Sequence, residues 1–435
     1  MGDVVRIHRI AALGNGVGTL SDGRVVFVPR TAPGDLAELR NIVRSKRFAR
    51  ARIASLIESS SLRTTPPCPH YEADECGSCQ LQHLNPTAQR AVRQQLVGDA
   101  LRRIGHLEIA DPVLESSEAE LGYRAKISLT VGRTGSREGG KTGRVTAIGF
   151  HRVGRPDETF DLTRCLLARP ELSALWQQLR EFRHLLPRNA RRIVLRIDRT
   201  GRCHAIVQAG EAKSASAVRG NAWTTAKELG RALAEGGTPA ALWWEPAGGA
   251  ARILHGADGG EAYPAMVFEQ VHPAMGDRVR SYAVQQLGSV SGGHIWDLYA
   301  GIGETTEAVG RLSGPEVTLE SVELDARAVR IAEARGPAEG ITRIAGRVED
   351  VLHRLRPADA ALVNPPRTGL GEAGEVARLI AGRPPERLVY VSCDPATLAR
   401  DLKLLSGTFG IADLRAFDLF PQTAHVETVA TLVRR

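Results

Sequence analysis

The sequence predicts an α/β protein, its C-terminal part a largely parallel sheet with helices on both faces. A small β-barrel and an α+β middle segment precede it. Three observations predict this architecture. From about residue 261, short apolar runs alternate with helical stretches, the pattern of βαβ units. Residues 1–58 instead show period-two stretches separated by Gly, Asn, Asp and Pro turns. Between the two, cysteines gather at Cys68, Cys76 and Cys79. The expected division is 1–58, 59–260 and 261–435, since 435 residues are enough for two or three domains.

Composition narrows the class. An apolar share of 43% and a charged share of 24% are those of a water-soluble globular chain. The formal net charge of +8 points to a polyanionic partner. No run of about 18 apolar residues occurs, so no membrane span is expected. The start, Met1-Gly2-Asp3-Val4-Val5-Arg6, lacks the charged-then-apolar pattern of a signal peptide. Six cysteines in such a chain imply a cytoplasmic protein that uses thiols for metal or catalysis rather than disulfides. A monomer is expected.

In the barrel segment, strands are expected at Val4–Ile7, Arg24–Val28 and Leu36–Leu39. Its last strand region carries Arg40, Arg44, Lys46, Arg47, Arg50 and Arg52 with no acid among them. That run reads as a phosphate-tracking surface, or more plainly as a solvated cationic face. A linker with Ser59–Ser61 and Pro66–Pro67 leads to Cys68, then to Cys76-Gly77-Ser78-Cys79. A C-x7-C-x2-C spacing suits one metal centre, and Cys165 is the best candidate for a fourth thiolate. Four thiolates fit a [4Fe–4S] cluster or structural zinc, and spacing leaves that choice open. Cys203 lies in a strand-like run and reads as a core thiol.

A helix is expected over Thr87–Ile104, with strands near Tyr123–Val131, Arg144–Phe150, Arg191–Ile197 and His204–Gln208. Loose loops are expected at Arg133–Gly143 and Gly210–Gly220, and Arg124, Lys126, Arg152 and Arg155 are candidates for an RNA path. Beyond 261, a helix at Pro273–Leu287 precedes strands near Ile295–Leu298, Thr318–Glu323, Arg343–Gly346, Ala360–Val363 and Leu388–Val391. Two late strands, Ile411–Leu419 and Thr428–Val433, close the chain.

The chemistry concentrates at the expected strand ends, where open α/β sheets bind ligands. Asp297-Leu298-Tyr299-Ala300-Gly301-Ile302-Gly303 has only a G-x-G, without the third glycine of the dinucleotide fingerprint or a P-loop lysine. Glu323, twenty residues past Gly303, ends the next strand and can accept ribose hydroxyls. The pair suggests S-adenosylmethionine, with NAD as the competing reading. Cys393 follows a buried strand and stands before Asp394-Pro395, where a thiolate can add to an electron-poor ring carbon such as C6 of uridine. Addition makes C5 nucleophilic toward a methyl sulfonium, and a base must then remove the C5 proton. Glu427 can supply that base, with His425 as a competitor.

These residues carry a resemblance. Cys-Gly-x-Cys-x-Leu-Gln-His at 76–83, Asp-Leu-Tyr-x-Gly-x-Gly at 297–303, Val-Ser-Cys-x-Pro-Ala-Thr at 391–397 and Phe-Pro-x-Thr-x-His-Val-Glu at 420–427 resemble the RNA uracil-5 methyltransferase family. The likeness is greatest to its iron–sulfur bacterial members that act on 23S ribosomal RNA, and the first segment resembles their TRAM domain, an RNA-binding barrel. The resemblance implies a Rossmann-like class I S-adenosylmethionine-dependent methyltransferase domain at 261–435, with a TRAM/OB-like barrel at 1–58 and a central RNA-binding domain at 59–260. It implies that Cys393 is the nucleophile and Glu427 the base, and that Cys68, Cys76, Cys79 and Cys165 hold a [4Fe–4S] cluster. Gln270, Tyr299, Gly301, Glu323 and Asn364 would then face the cofactor. Asn364 departs from the family pattern, replacing the aspartate of its Asp-Pro-Pro-Arg motif with an uncharged amide. His272 stands where an asparagine is common, and the first cysteine gap is seven residues rather than five.

The resemblance implies an RNA substrate, either ribosomal RNA or the T-loop uridine of tRNA. Other classes are an RNA cytosine-5 methyltransferase, an amino-group adenine methylase and a non-catalytic RNA-binding or assembly protein. Arg367 after Pro366, where those two enzyme classes carry a cysteine or an aromatic, argues against both. Cys393 together with Glu427 argues against the third.

Overall fold

The computed structural model describes residues 3–133, 145–210, 223–256, 269–288, 292–313, 316–335 and 339–435. The loops expected at 133–143 and 210–220 fall almost wholly outside this set, as does the expected domain boundary at 260.

The first segment closes on itself. One stretch of chain, interrupted at Ile7–His8, supplies both edges of a six-stranded sheet: Val4–Arg6 pairs with Leu36–Arg44, and Arg9–Ile10 pairs with Asn15–Thr19. Phe48–Glu58 and Val25–Pro29 fill the space between. Alternation sends Val5, Ile7, Val26, Val28, Leu39 and Ala49 into one small core. A sheet whose edges share one strand has few unpaired backbone groups to expose.

A second six-stranded sheet runs in the order Arg252–His255, Ala240–Glu245, Cys203–Ala209, Ala190–Ile197, Lys126–Arg133, Val145–Gly149. The helices Pro170–Glu181 and Ala226–Glu235 cover one face, where Trp176, Leu179, Leu229 and Trp244 are buried together. Cys203 is buried in this core.

The C-terminal sheet has eight strands in the order Ile341–Ala345, Thr318–Glu323, His294–Leu298, Ala360–Val363, Arg387–Ser392, Glu427–Arg434, Phe409–Phe417, Val113–Glu115. The first five are parallel. The late pair expected at the chain's end is present; Glu427–Arg434 runs antiparallel to both its neighbours, whereas Phe409–Phe417 runs parallel to Val113–Glu115. Sheet order reverses beside His294–Leu298, so its carboxyl end opens the crevice in which α/β folds bind ligands.

The last strand of that sheet comes from outside the expected domain. Helix Pro86–Arg103 starts at Asn85, whose side chain accepts the Ala88 N–H, and Pro86 takes the first turn. Its Val97 and Leu101 lie in one core with Leu398 and Leu402 of helix Pro395–Leu405. Val113–Glu115 then pairs with Arg415–Phe417. Residues 86–115, inside the 59–260 segment, thus attach to the C-terminal sheet instead of the central one. No described helix is long and apolar enough to cross a membrane.

Candidate active site

Strand register brings the two expected catalytic residues to the same end of one strand ladder. Val391 pairs with Val429 and Ser392 with Thr428, so the next positions across are Cys393 and Glu427. The turn after Cys393 is pinned locally. Ser392 Oγ donates to the Asp394 carbonyl at 3.1 Å and accepts the Asp394 N–H at 3.2 Å. Asp394 Oδ1 accepts the Ala396 and Thr397 N–H groups at 3.0 and 2.9 Å, starting helix Pro395–Leu405.

The electrostatics of the pair follow from burial. Glu427 is 2% exposed, and its Oε2 has no hydrogen-bond partner among the described residues. Burial pushes its carboxyl up to about 8, with Arg367 pulling the other way. Burial likewise raises the Cys393 thiol, Glu427 raises it further, and a hydrogen bond and the charge from Arg367 lower it. Burial lowers His425, and Arg367 and Arg124 add to that. Arg367 therefore addresses all three titratable groups of the site. Its backbone is fastened to the helix behind Cys393: Thr397 Oγ1 donates to the Arg367 carbonyl at 3.0 Å and Arg400 to the Thr368 carbonyl at 2.7 Å. Sequence reading had used Arg367 only to exclude other families. Its place after the apolar strand and Pro365-Pro366 was the available signal.

The loop carrying Pro421–His425 is braced from outside its sheet. Gln89 exchanges two bonds with Gln422, its amide donating to Gln422 Oε1 at 2.9 Å and its carbonyl oxygen accepting the Gln422 N–H at 3.1 Å. Tyr123 donates to the Pro421 carbonyl at 2.9 Å, and Arg93 to the Thr423 carbonyl at 3.1 Å and to Asp418 at 2.8 Å. From the cysteine segment, the Leu81 N–H donates to the Gln422 carbonyl at 3.1 Å, and Gln80 Oε1 accepts the Ala424 N–H at 3.3 Å. None of these bracing side chains was singled out from the sequence, because each acts across more than 280 residues.

The expected cofactor residues gather at neighbouring strand ends. Tyr299 (φ 65°) and Gly301 (φ 58°) turn the chain sharply after His294–Leu298, and a Cβ built on Gly301 meets nothing within 4 Å. Glu323 ends the adjacent strand; its Oε2 accepts the Gly301 N–H at 2.9 Å and its Oε1 the Asp325 N–H at 2.8 Å. Glu323 thus shapes the turn and keeps a second lone pair on each oxygen. Asn364 donates its N–H to the Leu298 carbonyl at 3.2 Å. Below the turn, Asp297 is buried, accepts the Thr306 hydroxyl at 2.5 Å, and is pushed up to about 6 by burial. Gln270 lies over Gly276 on the first turn of helix Pro273–Gln286. His272 caps that helix, stacks on Tyr123 with ring centres 4.7 Å apart and is held low, at about 4, by burial.

The four cysteines at 68, 76, 79 and 165 are shared between two neighbouring cores. Cys68, Cys79 and Cys165 border one cluster with Tyr71, Tyr123 and Leu167, while Cys76 lies with Cys165 at the edge of the central core. All four are free thiols. Burial raises Cys68, and pushes Cys76 and Cys79 up to about 11 and 12. Cys165 adds to each of these shifts. Among the described residues, no group of three or more His, Cys, Asp or Glu is arranged so that it could hold a metal ion.

Comparison with known proteins decides the family. A 23S rRNA (uracil(1939)-C(5))-methyltransferase, RlmD, of Acidithiobacillus ferrooxidans is 31% identical over 99% of this chain and 97% of its own length. An uncharacterised RNA methyltransferase of Thermosynechococcus vestitus is 31% identical over 98% and 97%. Residues 328–435 match the tRNA (Uracil-5-)-methyltransferase family model. The chain belongs to the RNA uracil-5 methyltransferase family. It is an S-adenosylmethionine-dependent enzyme that methylates C5 of uracil in RNA. Its fold is also that of Pyrococcus abyssi tRNA (uracil-54, C5)-methyltransferase in complex with S-adenosyl-L-homocysteine, at a TM-score of 0.65 and 21% identity over 99% of both chains.

This methyltransferase has a broad groove of about 1150 Å³ between barrel, cysteine loop and the 151–159 hairpin. Arg9, Arg30, Arg50, Arg52, Arg152 and Arg155 line it, with no acid among the described residues. Arg52 and Arg155 lean on Glu75, and Arg152 donates to the Asp74 carbonyl. Arg124, expected on an RNA path, instead turns inward beside Tyr123, under the influence of Cys79. Of the cationic run in the barrel, Arg44 pairs with Asp3 and Asp22. Lys46, Arg47 and Arg50 are exposed and have no carboxylate partner among the described residues.

Proposed function

We propose that the enzyme methylates a uridine of 23S ribosomal RNA through a covalent bond between Cys393 and C6, with Glu427 as the base. The observation that carries the mechanism is the placing of Cys393 and Glu427 one step past the last pair of one strand ladder, with Arg367 acting on both. S-adenosylmethionine supplies a methyl group activated by its sulfonium. Tyr299, Gly301, Glu323, Asn364 and Gln270 would hold it; the open space above Gly301 and the spare lone pairs of Glu323 fit that role.

Arg367 stabilises the Cys393 thiolate, and a Glu427 still protonated near neutrality adds no second negative charge while that thiolate forms. The thiolate adds to C6, and the C5–C6 electron pair moves onto the uracil carbonyl system. C5 then takes the methyl group, leaving a neutral thioether behind. Glu427, once ionised, removes the C5 proton; the electrons restore the C5–C6 double bond and expel the Cys393 thiolate.

Cys68, Cys76, Cys79 and Cys165 would hold a [4Fe–4S] cluster, a reading supported by their being free thiols, with Cys165 packed against the cluster of Cys68 and Cys79 and against the core that holds Cys76. Bound there, it would cross-link the 68–80 loop to the central sheet. The barrel and its unpaired cations would take the RNA backbone, as in a TRAM domain. Relatives matching along the whole chain and named for 23S rRNA favour that substrate over tRNA. Mapping 5-methyluridine by mass spectrometry in RNA from a deletion strain tests the reading. One 23S position should lose its methyl group and regain it with the wild-type gene but not with Cys393→Ala. Loss from the T-loop of tRNA would overturn the ribosomal substrate.

A further inference from the structure

Leu13 is the most exposed of the large apolar side chains among the described residues, at 73%. It sits in the short turn Ala12–Gly14 with φ 64°, a left-handed conformation that few side chains other than Gly, Asn and Asp adopt. The chain thus carries a bulky apolar residue, facing water, where glycine would fold more easily. Strain of this kind persists only when surrounding structure holds it.

The surroundings do hold it. The Gly14 N–H donates to the Ala11 carbonyl at 3.1 Å, and the Ala11 N–H to the Asn15 carbonyl at 2.8 Å. Gly14 is pressed so closely onto its neighbours that a Cβ there would come within 2.5 Å of Gln80 Cβ and 3.3 Å of Ala424 Cβ. Ala424 precedes His425 and lies three residues from Glu427. A barrel turn is therefore clamped between the cysteine loop and the catalytic loop, with one leucine raised at the head of the arginine-lined groove.

A uridine must leave its stack to present C6 to Cys393, and unstacking costs free energy that a side chain filling the gap can offset. Apolar wedges such as leucine serve this purpose where proteins open base steps. We propose that Leu13 is that wedge: on binding, it enters the RNA stack beside the position the target uridine has left. The proposal rests on the reading that the enzyme acts covalently on a flipped uridine, and it makes Leu13 a positioning residue rather than a catalytic one.

The test uses the full-length enzyme and a synthetic RNA stem–loop centred on the uridine that the wild type methylates, with 2-aminopurine as its 3′ neighbour. Wild-type binding with S-adenosylhomocysteine should raise the 2-aminopurine fluorescence. Leu13→Ala and Leu13→Gly should lose most of that rise and about tenfold in kcat/KM, the scale of one lost unstacking contact. Leu13→Met should restore both. On the same RNA with abasic sites flanking the uridine, where no stack needs opening, all variants should match the wild type. Leu13→Gly should melt at or above the wild-type temperature, because it relieves the left-handed strain, so its defect is not one of folding. Equal rates for wild type and Leu13→Ala on the intact stem–loop would overturn the wedge. So would an equal deficit on the intact and abasic RNAs. A wild type that methylates no uridine in RNA would instead remove the functional reading beneath it.

Discussion

Two neighbourhoods of this protein gather thiols, and they treat them in opposite ways. Cys393 stands half-buried at the end of a regular strand, where the charge of Arg367 offsets part of the cost of ionising it. Cys76 and Cys79 are buried in an irregular loop and their thiols are pushed up to about 11 and 12, even with Arg124 near Cys79. A thiol becomes a nucleophile when it can ionise beside open space, and a cross-linking donor when it is enclosed with others of its kind. The contrast also separates two kinds of support. The sheet positions Cys393 through strand register, whereas the cysteine loop acts at a distance, by bracing the loop that leads to Glu427.

The largest effect should come from breaking the reactive side of this contrast. Cys393→Ala should abolish methylation, a loss of about 10⁴-fold or more, and form no covalent species while still binding RNA. Glu427→Gln should instead accumulate a methylated protein–RNA adduct that survives a denaturing gel, because the glutamine cannot take the C5 proton. Turnover of Glu427→Gln near the wild-type rate would move the base to His425 or water. The same variant carries a stability signature. Glu427 is raised from 4.5 to about 8, so the folded state keeps a proton that the unfolded chain releases as pH rises above 4.5. Relative to wild type, Glu427→Gln should gain stability between pH 4.5 and 8, on the order of a few kcal/mol, and stay level above that. Urea melts at pH 4.5 and pH 8 would show it; equal differences at both would mean the carboxylate is not desolvated.

Next comes the enclosed side. Anaerobically purified protein should be brown with about four irons, and Cys79→Ala should lose that colour and melt earlier. Its methylation should fall as well, although Cys79 is not at the reacting atoms, because Gln80 and Leu81 hold Ala424 and Gln422. Zinc without visible absorption would replace the iron–sulfur reading. Unchanged metal content in the variant would remove Cys79 as a ligand.

A smaller effect should come from Arg367, which belongs to the reactive side alone. Its charge lowers both Cys393 and Glu427, so removing it lifts both. The wild-type rate should climb with pH and level off above about 8, since a carboxyl raised that far acts as a base only once ionised. Arg367→Gln should lower kcat by about 10–100-fold at pH 7 and move this limb to higher pH. A uniform loss at every pH would show that Arg367 only positions the RNA.

How much of this was legible in the sequence follows the same divide. The parallel strands at 294–298, 360–363 and 387–392 were readable because each is a largely buried, mostly apolar run, and burial on both faces leaves that mark locally. Cys393 and Glu427 could be singled out as candidates because residue type and motif mark them. Residues 86–115 were not readable, since nothing in a helix such as Pro86–Arg103 says which sheet it will cover. Nor was the antiparallel sense of Glu427–Arg434, or the bracing of Gln422 by Gln89 across 333 residues. Such choices are made by tertiary contact, for which a one-dimensional pattern carries no period.

The barrel's cations give the smallest and most diffuse effect, and they sharpen the contrast by lying outside both thiol neighbourhoods. Six cations were expected to act alike between Arg40 and Arg52, but the structure divides them. Arg40 donates to the Ile53 carbonyl, Arg44 is neutralised by Asp3 and Asp22, and Arg52 leans on Glu75. Lys46, Arg47 and Arg50 are left exposed without a carboxylate partner among the described residues, and Arg50 lies over the Phe48 ring at 5.0 Å. A cation already paired releases little on meeting a phosphate, whereas an unpaired one displaces a counterion from the RNA. Neutralising Lys46, Arg47 and Arg50 together should flatten the dependence of log K on log salt by about 0.7 per contact on single-stranded RNA. Neutralising Arg40, Arg44 and Arg52 should flatten it less. Affinity should fall to a similar extent for every RNA sequence, and kcat at saturating RNA should not change, because none of the three approaches Cys393. Salt titrations of both triple variants against one RNA decide the matter. Equal slopes for the two would mean that the ion pairs open on binding, and an unchanged slope in the first would mean that this edge of the barrel faces water.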